Sequence, residues 1–321
     1  MKYFHKYTII IVFGMILWTI MACHVDIKLT TLVNPVIPVD PSILYQLPNA
    51  TSKQMMGYVI KTSVGKIIVI DGGTMGDAAQ LSRLIKMGRE NGNVDAWFIT
   101  HPHDDHIEAL IEIAQNYPEI QIAHIYASFL DLTLIHDFEP GGYDAAESYY
   151  SFINNKKDIY TELAVGDSFN FDDVTLEVLS VKNPEIISNF INNSSCCFKV
   201  YTKDISVLFL GDLMAPGGHK LLNQYKDTNV LRSDIVQMSH HGHSGVDKDV
   251  YEEIAPKVAL WPTPKWLWEN NVGEGINSGP FNTLEVRAWM DDMGVRSVLG
   301  FEGLAMIPLV YIVIQDSNSE F

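Results

Sequence analysis

Thr100-His101-Pro102-His103-Asp104-Asp105-His106 is the stretch on which the reading of this chain turns. Four candidate metal ligands, His101, His103, Asp105 and His106, lie within six residues: two imidazoles one residue apart, then a carboxylate next to an imidazole. Val94-Asp95-Ala96-Trp97-Phe98-Ile99-Thr100 before it reads as a buried strand, and Ile107 to Gln115 after it reads as a helix. A loop leaving a strand can turn His101 and His103 toward one cation and Asp105 and His106 toward a second. Neutral imidazole with carboxylate suits zinc, and manganese or iron also accept this mixture. A merely polar surface loop would not need this spacing.

Two further strand ends support the cluster. Val207-Leu208-Phe209-Leu210-Gly211-Asp212 is an apolar strand closing on a carboxylate. Alone it is a common turn. Beside the histidine cluster, Asp212 becomes a candidate bridging ligand for two cations ~3.5–4 Å apart. Gln237-Met238-Ser239-His240-His241-Gly242-His243 also follows a strand. Either His240 or His241 could complete the second site. His240, the first of the pair beyond the strand, is the expected ligand, and His241 is then expected to contact substrate or act as an acid. His243 is expected to face solvent. Lys66-Ile67-Ile68-Val69-Ile70 ends at Asp71-Gly72-Gly73, which makes Asp71 a candidate to orient a ligand histidine as well as a turn residue.

The rest of the chain bounds the function. Its 321 residues allow one large domain or two small ones. A formal charge of −17 argues against a nucleic-acid-binding surface, since such a surface clusters Lys and Arg. A small anionic ester is not excluded, because bound cations set the local field. Lys2 and Lys6, the apolar run Thr8–Ile20 and Ile20-Met21-Ala22-Cys23 form a secretory signal over residues 1–23 that resembles a lipoprotein signal, with Cys23 as the lipidated residue. An ordinary signal and an uncleaved anchor are the alternatives; the apolar run is shorter than the roughly 20 residues of a membrane span. The expectation is an exported lipoprotein held on the cell envelope by lipid at Cys23. Residues 24–50 carry Pro35, Pro38, Pro41 and Pro48 and read as a tether, leaving 51–321 as a single domain. Cys196 and Cys197 are adjacent and read as buried strand residues, since neighbouring cysteines bridge only under strain.

Leu284, Val286, Met290 and Met293 mark a final helix, and Ala305 to Ile314 a terminal strand. Strands each followed by helices suggest two sheets packed face to face with helices outside. Trp261, Trp266 and Trp268 share one proline-stiffened segment, expected mainly to pack, with Trp266 the candidate for a substrate-facing wall.

Asp71, the His101–His106 cluster, Asp212 and His240-His241-Gly242 occur in the order of the metallo-β-lactamase superfamily, which the chain resembles over roughly residues 56–300. The resemblance implies an α/β fold, a four-layer αββα sandwich with two divalent cations at one edge. Asn192-Asn193-Ser194-Ser195 before a strand, with the His-His-Gly turn, is similar to the hydrolase domain of competence-type DNA-uptake proteins and to bacterial surface phosphorylcholine esterases. One departure stands out. Many members carry a further histidine before the bridging aspartate, whereas His124 and His136 are poorly spaced for it. Asn192–Ser195 stands there instead, so Asn193 and Ser194 join the candidates near the site. The expected ligands are therefore His101, His103, Asp105, His106, Asp212 and His240, with Asp105 and His241 as catalytic candidates.

The function implied is hydrolysis of a phosphodiester or related ester, a small-molecule or envelope-associated substrate, by a water acidified between two metals. An acyl hydrolase of lactonase or β-lactamase type, and a lipid-tethered binding protein with structural metals, are the other readings.

Overall fold

The computed structural model describes residues 40–311. The expected signal at 1–23, Cys23 and most of the expected tether lie outside the described residues. The first half contributes β1 (Ile43–Gln46), β2 (Gly57–Lys61), β3 (Ile67–Asp71), β4 (Asn93–Val94), β5 (Ala96–Phe98), β6 (Gln121–Ile122), β7 (Ile125–Ala127) and β8 (Tyr160–Glu162). The second half contributes β9 (Ser168–Phe171), β10 (Val174–Ser180), β11 (Cys197–Tyr201), β12 (Ser206–Phe209), β13 (Ile235–Gln237), β14 (Val258–Trp261), β15 (Arg296–Leu299) and β16 (Ala305–Pro308). One sheet runs β16-β1-β2-β3-β5-β7-β8 and the other β15-β14-β13-β12-β11-β10-β9, with β4 and β6 paired apart.

The two sheets share a plan. From β3 through β5 and β7 to β8, and from β12 through β13 and β14 to β15, neighbours are parallel. The remaining pairs are antiparallel. In a parallel stretch the carboxyl ends of successive strands share one edge, which is where such sheets present ligand-binding loops.

Alternation along the strands builds the layers. Tyr58, Ile60, Ile68, Ile70 and Phe98 turn inward against Leu176, Phe198, Val200 and Phe209 of the other sheet. Tyr58 meets Phe209 edge-on at 5.0 Å between ring centres, and Phe98 meets Phe198 at 5.5 Å. Each buried ring contributes about 1.5–3 kcal/mol. The opposite faces carry the helices. Val59, Val69 and Trp97 pack under α1 (Ala78–Gly88), α2 (Asp104–Asn116) and, through Tyr149 and Phe152, the later α4 (Tyr143–Asn154). Between these, α3 (Leu132–Phe138) packs Ile135 against Ala146 of α4. Leu208, Val236, Ala259 and Trp261 pack against α5 (Ala215–Gln224), α6 (Lys248–Ile254) and the final α8 (Thr283–Asp292); the short α7 (Lys265–Trp268) adds Trp268. The result is the expected αββα sandwich.

Two expectations change. Residues 43–46, assigned to the tether, form β1 between β2 and β16, with Leu44 in the core. Pro41 and Pro48 bound this strand, so their punctuation marks its ends and not a free linker. α1 stops at Gly88, where Arg89 is already extended. Gly92 serves the turn into β4 at φ +70°, where an added Cβ would lie 2.3 Å from the Glu119 carbonyl oxygen. The terminal strand ends at Pro308. Cys196 and Cys197 are buried free thiols, as expected. Among the described residues no helix is long and apolar enough to cross a membrane.

Candidate metal centre

Four carboxyl-end connections meet at one edge. β3 ends on Asp71, β5 leads through Thr100 into the His101–His106 cluster, β12 leads to Asp212, and β13 leads to His240 and His241. The two later loops are stapled by Gln237, whose Oε1 accepts from Leu210 N at 2.8 Å while its Nε2 donates to the Gly211 carbonyl at 3.0 Å. His240 N also donates to the Gly211 carbonyl. Asp105 and His106 fall in the first turn of α2 and not in the loop before it, so the helix start aims both side chains. Carboxylates are favourable at that end of a helix.

Asp71 organises the buried side of the cluster. Its Oδ1 accepts from Thr100 N at 2.7 Å, and its Oδ2 accepts from Thr100 Oγ1 at 2.8 Å and His106 Nδ1 at 2.7 Å. With its hydrogen given to Asp71, the Thr100 hydroxyl is left to accept from His101 Nδ1, 3.1 Å away. His241 Nδ1 donates to the Pro262 carbonyl at 2.9 Å. The network therefore assigns the proton of His101, His106 and His241 to Nδ1 and leaves each Nε2 with a lone pair. This is how ligand histidines are commonly oriented. The loops bear backbone strain: Asp71, His240 and His241 all have φ between +50° and +55°.

The free lone pairs converge. His101, His106 and Asp212 form one group of donor atoms within 4.8 Å of one another, and Asp105, His106 and His241 form another. His106 Nε2 lies 3.3 Å from Asp212 Oδ2, and His241 Nε2 lies 3.0 Å from Asp105 Oδ2 and 3.3 Å from Asp212 Oδ2. Yet His106 Nε2, His241 Nε2 and Asp212 Oδ1 are buried without an aligned hydrogen-bond partner. Atoms this close, aimed at a shared point and not at each other, fit a cation between them. His103 stands one step out, with Nδ1 3.1 Å from His101 Nε2.

The electrostatics agree. Burial and the neighbouring imidazoles hold His101 well below the usual histidine value. Burial would also lower His106 and His241, but the Asp212 and Asp105 carboxylates outweigh it, raising His106 well above its usual value and His241 to about 10. Against its own burial, Asp212 is held well below the usual carboxylate range by His241 and His106. Two imidazoles, His106 and His241, that hold a proton this firmly between the Asp105 and Asp212 carboxylates when metal-free give the charge pattern that divalent cations replace.

Several sequence expectations are corrected here. His241, not His240, faces Asp105 and Asp212; His240 lines the cleft beside Asn192, with Nε2 3.4 Å from Asn192 Nδ2. The left-handed turn at both residues reverses the order that strand proximity suggested. His243 is buried and not solvent-facing, with its ring 4.2 Å from that of His240 and its Nε2 2.9 Å from Gln54 Nε2.

Asn193 and Ser194 do not face the site. Asn193 bonds the Ser188 carbonyl and Gly217 N, and Ser194 Oγ accepts from Asn183 N. Their neighbours do the work: Asn192 lines the cleft, and Ser195 Oγ accepts from Asp212 N at 3.1 Å and lies 3.4 Å from His101 Nδ1. His124 and His136 are exposed and join neither donor group.

Ser52, Lys53, Gln54, His103, Asp104 and Trp266 complete the open cleft. Trp266 donates from Nε1 to the Ser52 carbonyl at 2.8 Å, while Trp261 and Trp268 pack edge-on at 4.9 Å. So the tryptophan segment splits, with one ring at the cleft and two in the packing.

A family model described as the metallo-beta-lactamase superfamily matches residues 56–256, a span that contains every candidate ligand. Among solved structures, the diiron beta-hydroxylase CmlA from Streptomyces venezuelae aligns with a TM-score of 0.51 at 12% identity, over 84% of this chain and 54% of that one. The metallo-beta-lactamase fold protein YhfI from Bacillus subtilis aligns with a TM-score of 0.47 at 11% identity, over 83% of this chain and 99% of that one. A diphosphatase from the PhnP family aligns at 0.41 and 12% identity, over 73% and 93%. At these identities the likeness is one of fold. No curated protein matches the sequence.

Proposed function

The chain belongs to the metallo-beta-lactamase superfamily, and on that premise we propose that it is a metal-dependent hydrolase of a phosphodiester or related ester. The observation that carries this reading is the convergence of donor atoms from His101, His106, Asp105, Asp212 and His241 beneath an open cleft, with His106 Nε2, His241 Nε2 and Asp212 Oδ1 buried without a partner. His101, His103 and Asp212 would hold one cation; Asp105, His106 and His241, with Asp212 shared, would hold the other. Such a pair supplies Lewis acidity and an acidified water. Zinc suits this donor set, and manganese or iron would be accepted by it.

The chain's own residues have separable tasks. Asp71 holds the Nδ1 proton of His106 and, through Thr100, that of His101, so both rings stay as donors. The Pro262 carbonyl does the same for His241. With His241 used as a ligand, His240 and Asn192 are polar groups beside the ligands that face the cleft for contact with substrate oxygens. Lys53 and Gln54 at the mouth offer donors to an anionic group, and Trp266 an apolar wall. These donors, with the similarity of Asn192–Ser195 and His240-His241-Gly242 to phosphoester-cleaving relatives, favour a phosphodiester over a lactone or β-lactam.

The test is a panel of bis-p-nitrophenyl phosphate, p-nitrophenyl phosphorylcholine, a lactone and nitrocefin, each with and without chelator. Chelator-sensitive turnover of a phosphodiester supports the reading; lactone or nitrocefin turnover with every phosphodiester untouched replaces it with an acyl hydrolase. We place the enzyme on the cell envelope through lipid at Cys23. Cys23→Ser should then release it or leave it unprocessed, and a variant that partitions like wild type would remove that assignment.

A further inference from the structure

Among the four candidate ligand histidines, His103 alone presents Nδ1 to its neighbours, and what holds it that way lies on a different part of the chain. Glu139, in the short link after α3, puts Oε1 3.2 Å from His103 Nε2. Its other oxygen, Oε2, accepts from Ile191 N at 2.8 Å. A carboxylate accepts at both oxygens, so it assigns the His103 proton to Nε2 and leaves the Nδ1 lone pair facing His101 Nε2 at 3.1 Å. Ile191 immediately precedes the Asn192–Ser194 turn. That turn carries Asn192, whose Oδ1 is buried without a partner, and it stands where a third imidazole of the first site would be expected. Space confirms the fit: a Cβ on Gly142 would lie 2.3 Å from Ile191 Cδ1 and 3.3 Å from His103 Nε2.

We infer that Glu139 is a positioning residue that fixes His103 as an Nδ1 donor and clamps the Asn192 turn against the same site, so that loading of the first cation and placement of Asn192 are set together. The inference rests on the two-cation reading above. It differs from Asp71 in being specific to one site: Asp71 serves His106 and His101 from the buried side, whereas Glu139 acts on the partly exposed flank through His103. Removing it should weaken one cation and leave the other.

The experiment is zinc titration of the metal-free full chain against a chromophoric competitor, with Glu139→Ala and Glu139→Gln beside wild type. Wild type should bind two ions. Glu139→Ala should bind one as wild type and the other about 10–100-fold more weakly, the usual cost of losing such an outer partner. Glu139→Gln keeps one acceptor and should fall between. Long-range ¹H–¹⁵N spectra of the imidazoles give a readout independent of loading: in wild type the His103 proton sits on Nε2, and in Glu139→Ala that assignment is lost. A Glu139→Ala protein with both affinities and the His103 tautomer unchanged overturns the inference. Wild type that binds no zinc instead fails the two-cation reading itself. If Glu139→Ala does not fold, Glu139→Gln decides by the same two measurements.

Discussion

Asp71→Asn separates hydrogen bonding from shape at the buried base of the site. Asparagine keeps the size of the side chain and tolerates the left-handed backbone at φ +55°, where alanine would add about 1–2 kcal/mol of strain. It cannot keep all three bonds. If its oxygen stays with His106 and the Thr100 hydroxyl, its amide hydrogens face Thr100 N–H; if it turns over, they face His106 Nδ1–H. Either way a buried donor loses its acceptor, at about 1–3 kcal/mol. Burial already raises the Asp71 carboxyl above its ordinary value, so removing the charge returns part of that loss. The metal-free protein should therefore lose about 1–2 kcal/mol in urea unfolding. In the turned-over arrangement His106 moves its proton to Nε2 and ceases to be a donor, so zinc affinity should fall about 10–100-fold. A variant with unchanged stability and unchanged affinity for both ions would refute the claim that Asp71 sets the His106 tautomer.

Other outcomes follow from the same geometry. His241→Ala should lose one of two bound ions, whereas His240→Ala should keep both and lose turnover by about 10²-fold or more, as for a group acting on the reacting oxygens; elemental analysis and steady-state kinetics distinguish them. Asp212→Ala should disturb both ions, since both donor groups adjoin it. The metal-free protein should also show a pH signature. His241 is raised to about 10, so its contribution is complete below the ordinary histidine value and is lost as pH climbs toward 10. Asp105, lowered to about 2 although burial alone would raise it, contributes above the ordinary carboxylate value and loses this as pH falls toward 2. Unfolding midpoints against pH test both limbs, and zinc binding at neutral pH should release protons, visible as a buffer-dependent heat of binding.

Much of this centre was legible in sequence because its ligands sit at fixed offsets beyond apolar strands. His101, Asp105 and His106 follow β5, and Asp212 follows β12, so the histidine and aspartate spacing read together with the strand ends placed them. The choice between His240 and His241 was not legible, because it depends on two consecutive residues at positive φ, which no periodicity reports. Asn193 and Ser194 were misplaced for a related reason: a tight turn of four polar residues sends its two inner side chains away from the site and leaves the outer two facing it. Glu139 was invisible because it is thirty-six positions from His103 in sequence and sits in a region of short elements without clear pattern. β1 was lost to its flanking prolines, which bound a strand as readily as they interrupt one.

The account stands most directly on the number of metal ions per chain. Protein purified with zinc and freed of loosely bound ions should carry close to two, measured by elemental analysis against protein concentration. A chain that carries none under those conditions would contradict the convergence of His101, His103, Asp105, His106, Asp212 and His241 on a shared cation pair, and with it the proposed hydrolase.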